Sequence, residues 1–218
     1  MSMKITIREP GSAITHYIAM MMAMVAAVPL LIKATQSQDI RHVVAMLIFA
    51  GSMVLLYGAS TLYHAVNLAG KALKVFKKID HMMIFVLIAG TYTPVCMLVL
   101  SRATGYPLLA LVWGTAIIGM LIKMFWITCP KWFSSVIYIA MGWECVLVFR
   151  PLLDTLPTGA FLWLLIGGII YTIGGIIYAL KIPVFDELHK FFGLHEIFHL
   201  FVMGGSFCHF MFMFFYVA

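Results

Sequence analysis

Residues 160–180 read AFLWLLIGGIIYTIGGIIYAL, an apolar stretch without a single charged side chain. A helix needs about 20 such residues to cross the hydrocarbon core of a bilayer, so this segment is predicted to be transmembrane. Composition extends the prediction to the whole chain, because 64% of its 218 residues are hydrophobic and only 10% are charged. Soluble domains carry about 25% charged residues. The composition therefore excludes a cytosolic globular enzyme, a nucleic-acid-binding protein and a disordered protein.

Six further apolar stretches predict an all-α bundle of seven transmembrane helices in one domain, residues 1–218. The predicted helices cover about 14–32, 43–64, 82–100, 108–127, 133–149, 160–180 and 195–217. The first stretch is too long for the apolar part of a typical cleavable signal. The four cysteines are far apart and form no CxxC pair, so they suggest neither a disulfide framework nor a cysteine-rich zinc site. We expect a multi-pass protein of the inner (plasma) membrane, in contact with membrane lipids.

Basic residues fall unevenly on the two sides of the predicted bundle, ten on one side and four on the other. The richer side has the N-terminus, the link between the second and third predicted helices (the 2–3 link), Lys123 with Lys131, and the link between the sixth and seventh (the 6–7 link). Cytoplasmic links are rich in Lys and Arg, so we expect a cytoplasmic N-terminus and an external C-terminus. The 2–3 link contains four of these residues, Lys71, Lys74, Lys77 and Lys78. They could also attract anionic lipid headgroups, but a role in topology is the simpler interpretation.

Polar and ionisable groups from separate helices converge near the inner ends of the predicted bundle. Ionisable residues inside a membrane are costly, which makes each of them a functional candidate. Ser60 and His64 are four residues apart near the end of the second helix, and His195 and His199 are four apart at the start of the last. Asp80 begins the third helix at the same depth. Three neutral imidazoles are typical of a catalytic zinc site whose fourth position holds water.

We therefore predict that His64, His195 and His199 bind zinc. Asp80 is the predicted carboxylate that acts on the water, and Ser60 is its hydrogen-bonding neighbour. The remaining ionisable side chains are assigned to other roles. His209 shares the face of His195 but lies about 21 Å farther along the helix, so it is predicted to be a core or interfacial residue.

Three more ionisable residues have no place in the predicted site. His42 on the outer side and His189 in the 6–7 link are expected to be solvated. Glu144, near the outer end of the fifth helix, has no predicted partner.

The sequence 195–199, HEIFH, also fits the HExxH signature, in which the glutamate is the general base of a metalloprotease. In a membrane this pattern suggests an intramembrane protease, whose third ligand is usually an aspartate on a distant helix. Asp154 lies in an outer link without a following glycine, which makes this the weaker alternative. In the favoured interpretation Glu196 is not a general base; it is a first-turn carboxylate that the helix dipole stabilises. A retinal protein is set aside because the last helix contains no lysine.

Three blocks carry a family resemblance. They are STLYH at 60–64, Asp80-His81 followed by AGTYTP at 89–94, and FGLHEIFH at 192–199 with His209 beyond it. With these blocks, nearly the whole chain resembles the hemolysin III family of bacteria, a branch of the progestin and adipoQ receptor superfamily. The resemblance implies seven helices with the N-terminus inside, and zinc held by three histidines.

Carried over to this chain, the resemblance implies that His64, His195 and His199 are the zinc ligands. It also implies that Asp80 contacts the zinc through a water molecule. Related receptors are associated with ceramide-type amide hydrolysis, and the bacterial name refers to a cytolytic phenotype. The first helix departs from the family pattern. Glu9 and His16 match, but Ser12 replaces an asparagine, which weakens the argument that this helix contributes to the site.

Two hypotheses about function remain. The first is a zinc hydrolase of a lipid amide, with Asp80 as the general base and Ser60 holding the water or the aspartate. The second is a non-enzymatic membrane-homeostasis, receptor-like or cytolytic protein with a structural zinc. A fourth position open to a lipid-accessible cavity favours the first, and a closed, buried one favours the second. The glycine pairs at 167–168 and 174–175 allow close helix approach, within one chain or between copies of a homo-oligomer.

Overall fold

The computed structural model describes residues 7–180 and 193–218, and within these ranges all regular structure is helical. The α-helices are α1 (Pro10–Ala34), α2 (Ile40–Ala65), α3 (Gly70–Pro94), α4 (Arg102–Phe125), α5 (Lys131–Gly142), α6 (Phe149–Thr155), α7 (Thr158–Leu180) and α8 (Leu194–Phe212). Two π-helical turns, Val95–Val99 and Met213–Val217, extend α3 and α8. A 3-10 turn, Glu144–Val148, joins α5 to α6.

These residues form seven helical segments that are long and apolar enough to cross a membrane, which confirms the predicted seven-helix bundle. Helices α1 to α4 pack in chain order, α5 packs on both α3 and α7, and α8 closes the bundle against α7 and α1. Large apolar side chains such as Phe49, Phe85 and Phe212 fill the interior. Others, such as Val25 and Leu147, are exposed on the outside, as lipid contact requires.

The fifth span is longer than predicted and is broken in the middle. It runs from Lys131 to Thr155 and leaves the α-helical path at Trp143, whereas the sequence predicted one helix over 133–149. The Tyr92 hydroxyl stabilises this break, because it donates to the Gly142 carbonyl at 2.7 Å and accepts from the Cys145 amide at 2.9 Å. The Trp143 indole donates to Thr172 of α7 at 2.9 Å, which fixes the break against the neighbouring helix.

The sequence assigned residues 67–78 to the link between the second and third helices, but most of these residues are helical. Helix α3 begins at Gly70, whose positive φ of 62° turns the chain out of the extended Ala69, so the four lysines lie on the first turns of α3. Glycine adopts this left-handed conformation at little cost. A short connection therefore suffices, and lysine is itself a good helix former.

Lys123 was counted among the basic residues at the cytoplasmic side of the bundle, but it is buried in α4 and only 1% exposed. The turn after α4 folds back so that polar atoms of α5 and the turn cover the ammonium group. Lys123 donates to the Ser134 hydroxyl, and its Nζ lies 3.1 Å from the Cys129 sulfur. The predictions for the 6–7 link, including His189, Lys181 and Lys190, concern residues outside the described ranges.

Candidate metal centre

Three histidines from two helices meet at one end of the bundle. His64 lies in the last turn of α2, and His195 and His199 occupy successive turns at the start of α8. One ring nitrogen from each lies within 4.8 Å of the others, so the three form a group that could hold a metal ion. His64 and His199 are each only 2% exposed, whereas His195 is partly exposed.

Glu9 fixes the orientation of the His64 ring. The Glu9 backbone amide donates to the His64 carbonyl at 3.0 Å, and the Glu9 carboxylate contacts His64 Nδ1. The hydrogen bond from His64 is the main cause that lowers the pKa of Glu9 to about 2, so this carboxylate is an acceptor at neutral pH. His64 therefore carries its proton on Nδ1, and its Nε2 lone pair is directed away from Glu9.

Thr15 fixes the orientation of the His199 ring. The Thr15 hydroxyl donates to the Ser12 carbonyl at 3.0 Å, and its oxygen lies 3.0 Å from His199 Nδ1. Since the hydroxyl has one proton and that proton is already committed, Thr15 accepts from His199 Nδ1–H. His199, like His64, is left with a free Nε2 lone pair.

Two ring nitrogens of the group, Nε2 of His64 and Nε2 of His195, are 3.2 Å apart. Two lone pairs at this distance repel each other unless a proton or a cation lies between them. A hydrogen bond from the Nε2–H tautomer of His195 would relieve the repulsion, and so would a metal ion shared by both rings.

His16 of α1 adds a fourth imidazole beside the group. Its ring stacks on His199 with 3.5 Å between the ring centroids and an interplanar angle of 9°. His16 is buried, and neither of its ring nitrogens has a hydrogen-bond partner among the described residues. Its contact with His199 is therefore through the ring face alone.

Helix α1 thus contributes to the site, and the inference drawn from Ser12 was wrong. Ser12 donates to Glu196 Oε1 at 2.5 Å, so the shorter side chain still reaches α8. Thr15 was missed altogether. Its position three residues after Ser12 puts it on the same helical face, but this signal identifies Thr15 only once α1 is known to pack against α8.

The structure also places the two predicted catalytic residues. Asp80 is buried in α3, with Oδ2 3.0 Å from His81 Nδ1, and the Ser60 hydroxyl interacts with its carboxylate. Asp80 lines a partly open cavity of about 200 Å³ together with His195 and His199, while His64 lies outside its lining. The cavity lies between α3, α5, α7 and α8, and its remaining walls are mostly apolar.

The sequence of the chain is similar to those of known proteins. Residues 5–210 match the family described as Haemolysin-III related. The chain belongs to the haemolysin III family. It is 38% identical over 209 residues to Hemolysin-3 of Bacillus cereus, a match that covers 96% of this chain and 91% of the relative. It is 37% identical over 212 residues to the Hemolysin-3 homolog of Bacillus subtilis strain 168, covering 97% and 95%. The predicted resemblance is confirmed.

The haemolysin III match and the seven spans together make this a multi-pass protein of the bacterial plasma membrane. Two side chains of the haemolysin III chain are placed away from the three-histidine group. His209 is buried and lines the far part of the same cavity, with Nε2 3.4 Å from the Leu164 carbonyl. Glu144 lies in the 3-10 turn of the fifth span, and one of its carboxylate oxygens has no hydrogen-bond partner among the described residues.

Glu196, the rival base in the HExxH interpretation, has a structural role in this haemolysin III chain. Its Oε1 accepts from Ser12, and its Oε2 accepts from the Gly193 amide at 2.9 Å, closing the N-terminal turn of α8. Both oxygens are therefore occupied in joining α8 to α1 and to its own first turn. A carboxylate held in this way is poorly available to take a proton from water, which disfavours the protease alternative.

Proposed function

We propose that the chain is a zinc-dependent hydrolase of a lipid amide, with its centre at His64, His195 and His199. The observation that carries the proposal is that the three imidazoles form one group, two of whose members, His195 and His199, line a cavity together with Asp80. Three neutral histidine ligands with an open fourth position are typical of catalytic rather than structural zinc sites.

The donor set fits zinc. Glu9 and Thr15 engage Nδ1 of His64 and His199 and leave their Nε2 lone pairs free, and all three donors are imidazole nitrogens, which zinc accepts well. Zn–N bonds of about 2.0–2.1 Å in a tetrahedron place two nitrogens about 3.3 Å apart. The His64–His195 separation of 3.2 Å is close to that edge.

Zinc in this position would polarise a substrate carbonyl and make water a stronger acid. The residues of the chain supply the proton transfers. Asp80 would take a proton from the attacking water and return it to the leaving amine, so that amide and water give a fatty acid and an amine. Ser60, which interacts with the Asp80 carboxylate, would hold it in position.

The cavity supports a lipid substrate. Apart from Asp80 and the histidines, its walls near the site come mainly from apolar and aromatic side chains, among them Ile84, Tyr138 and Phe198. An acyl chain would fit such walls, because burial of each CH₂ group contributes about 0.8 kcal/mol. The amide bond would then lie at the polar end of the cavity.

The test compares Asp80→Asn with Glu196→Gln in purified protein, for zinc content and for release of fatty acid from a short-chain ceramide. Asp80→Asn should keep zinc and lose turnover. Glu196→Gln should keep both, since its carboxylate has a structural role. The reverse pattern would move the general base to Glu196 and contradict the proposal.

A non-enzymatic role is the second candidate, because both compared relatives are named for haemolysis. A cytolytic, receptor-like or membrane-homeostasis protein would use the same centre to join α1, α2 and α8. Wild-type protein with full zinc that hydrolyses no acyl-amide or ester lipid would favour this candidate.

We further propose that the N-terminus is cytoplasmic and the histidine group lies near the inner membrane face. The basic bias of the links supports this orientation even when the buried Lys123 is left out. A reporter fused after Ala218 should be active only outside the cytoplasm, and activity confined to the cytoplasm would reverse the orientation.

A further inference from the structure

We propose that a surface groove between α3 and α4 binds the phosphate of an anionic phospholipid. This basic groove has a volume of about 400 Å³. Its lining combines cationic and apolar side chains: Lys71, Lys74, Lys78, Val75, Phe125 and Ile127. The site is separate from the three-histidine group and does not depend on the proposed hydrolase activity.

The three lysines present their charge to one place. They occupy positions i, i+3 and i+7 of α3, which lie along one face of a helix. Among the described residues, no acidic side chain lies within ion-pairing distance of Lys71, Lys74 or Lys78. Their charge is therefore available to an anion from outside the chain.

The start of α3 adds to the attraction. Ala69 precedes the helix and provides no side-chain cap, and the first turn contains no acidic residue. Amide groups at a helix N-terminus favour a nearby anion, and the effect is confined to the first turn, where Lys71 lies. The helix terminus and the lysines thus favour the same ligand charge.

The apolar side chains of the groove favour a lipid over a soluble anion. Phe125 is 81% exposed and Val75 is 53% exposed, which is unfavourable beside water. Ile118, Leu121 and Phe125 form an exposed strip at i, i+3 and i+7 of α4, running from the groove into the membrane-spanning part of the helix. Acyl chains attached to a phosphate in the groove would cover this strip.

The groove also lies at the depth of lipid headgroups. Exposed tryptophans, Trp126 and Trp132, follow the end of α4 and flank the groove in sequence. Tryptophan is enriched where hydrocarbon meets headgroups. A lysine near an anionic membrane surface contributes about 1 kcal/mol, which corresponds to about a fivefold change in affinity.

The test measures lipid binding to purified protein in an uncharged detergent by native mass spectrometry. The probes are short-chain phosphatidylglycerol and phosphatidylcholine with identical acyl chains. Wild type should retain phosphatidylglycerol preferentially. Lys74→Gln should weaken that binding about fivefold.

Lys77→Gln is the matched control, because it removes the same charge from the same turn of α3 but is not part of the groove lining. It should bind phosphatidylglycerol like wild type. Equal loss in both variants, or equal retention of the two lipids by wild type, would overturn the proposal. Phe125→Ala should also weaken lipid binding. If inorganic phosphate displaces the lipid and Phe125→Ala has no effect, the ligand is a soluble phosphate and the lipid assignment is wrong.

Discussion

The Thr15 hydroxyl of the first helix accepts a hydrogen bond from His199 Nδ1 of the last helix, across 3.0 Å. The same hydroxyl donates to the Ser12 carbonyl, so the contact selects the tautomer of His199 that has a free Nε2. Helix α1 thereby orients a predicted metal ligand without supplying one itself.

Removing this hydrogen bond should weaken metal binding and leave the fold intact. Groups that orient a ligand histidine typically change metal affinity by about 10–100-fold, and we expect Thr15→Val to fall within that range. Affinity is measured by competition with a chelator. Thr115→Val is the control, since Thr115 lies in α4 and its hydroxyl donates to the Leu111 carbonyl rather than to a histidine of the group. Equal affinities in the two variants would show that Thr15 does not position His199.

A glycine in α4 should be indispensable for packing. A Cβ at Gly105 would lie 2.0 Å from the carbonyl oxygen of Cys96, and a backbone atom cannot move aside easily. We expect Gly105→Ala to lower the unfolding free energy by about 1–3 kcal/mol. Gly114→Ala, in the same helix, meets nothing within 4 Å and should be neutral or stabilising by up to about 1 kcal/mol. Thermal unfolding in detergent distinguishes the two variants. Equal changes in melting temperature would contradict the close packing of Gly105 against Cys96.

The N-terminus of α2 should show a pH-dependent contribution to stability. The Asp39 carboxylate accepts hydrogen bonds from the side chain and from the backbone amide of Arg41. These bonds lower the pKa of Asp39 from 3.8 to about 2. Because the folded-state pKa is the lower one, the stabilisation is present above pH 3.8 and is lost as the pH falls toward 2. Asp39→Ala should lower the melting temperature slightly at pH 6, and the difference should disappear near pH 2.

Asp154→Ala provides the comparison for this effect. Asp154 lies 3.9 Å from Arg150 on an exposed part of α6 and caps no helix. Surface pairs of this kind contribute little. A melting-temperature difference for Asp39→Ala that persists unchanged to pH 2 would rule out the carboxylate as its cause.

Features that depend on local sequence were predictable here. Apolar length identified the seven spans, and four-residue spacing identified His195 with His199. The common depth of helix ends brought His64 into the same group, because depth follows from counting residues along each span. In the structure one ring nitrogen from each of the three histidines lies within 4.8 Å of the others.

Features that depend on contacts between distant segments were not predictable. The break in the fifth span is stabilised by the hydroxyl of Tyr92, which belongs to another helix. Lys123 is covered by Ser134 only because the turn after α4 folds back. The contribution of Thr15 required knowing that α1 packs against α8.

Metal analysis of purified protein tests the central claim most directly. Wild type should contain one zinc per chain, and single alanine substitutions of His64, His195 or His199 should remove most of it. These variants should also lose thermal stability, because a ligand that binds only the folded state stabilises it. His209→Ala should leave the zinc content unchanged. Stoichiometric zinc retained after replacing both His195 and His199 would contradict the assignment.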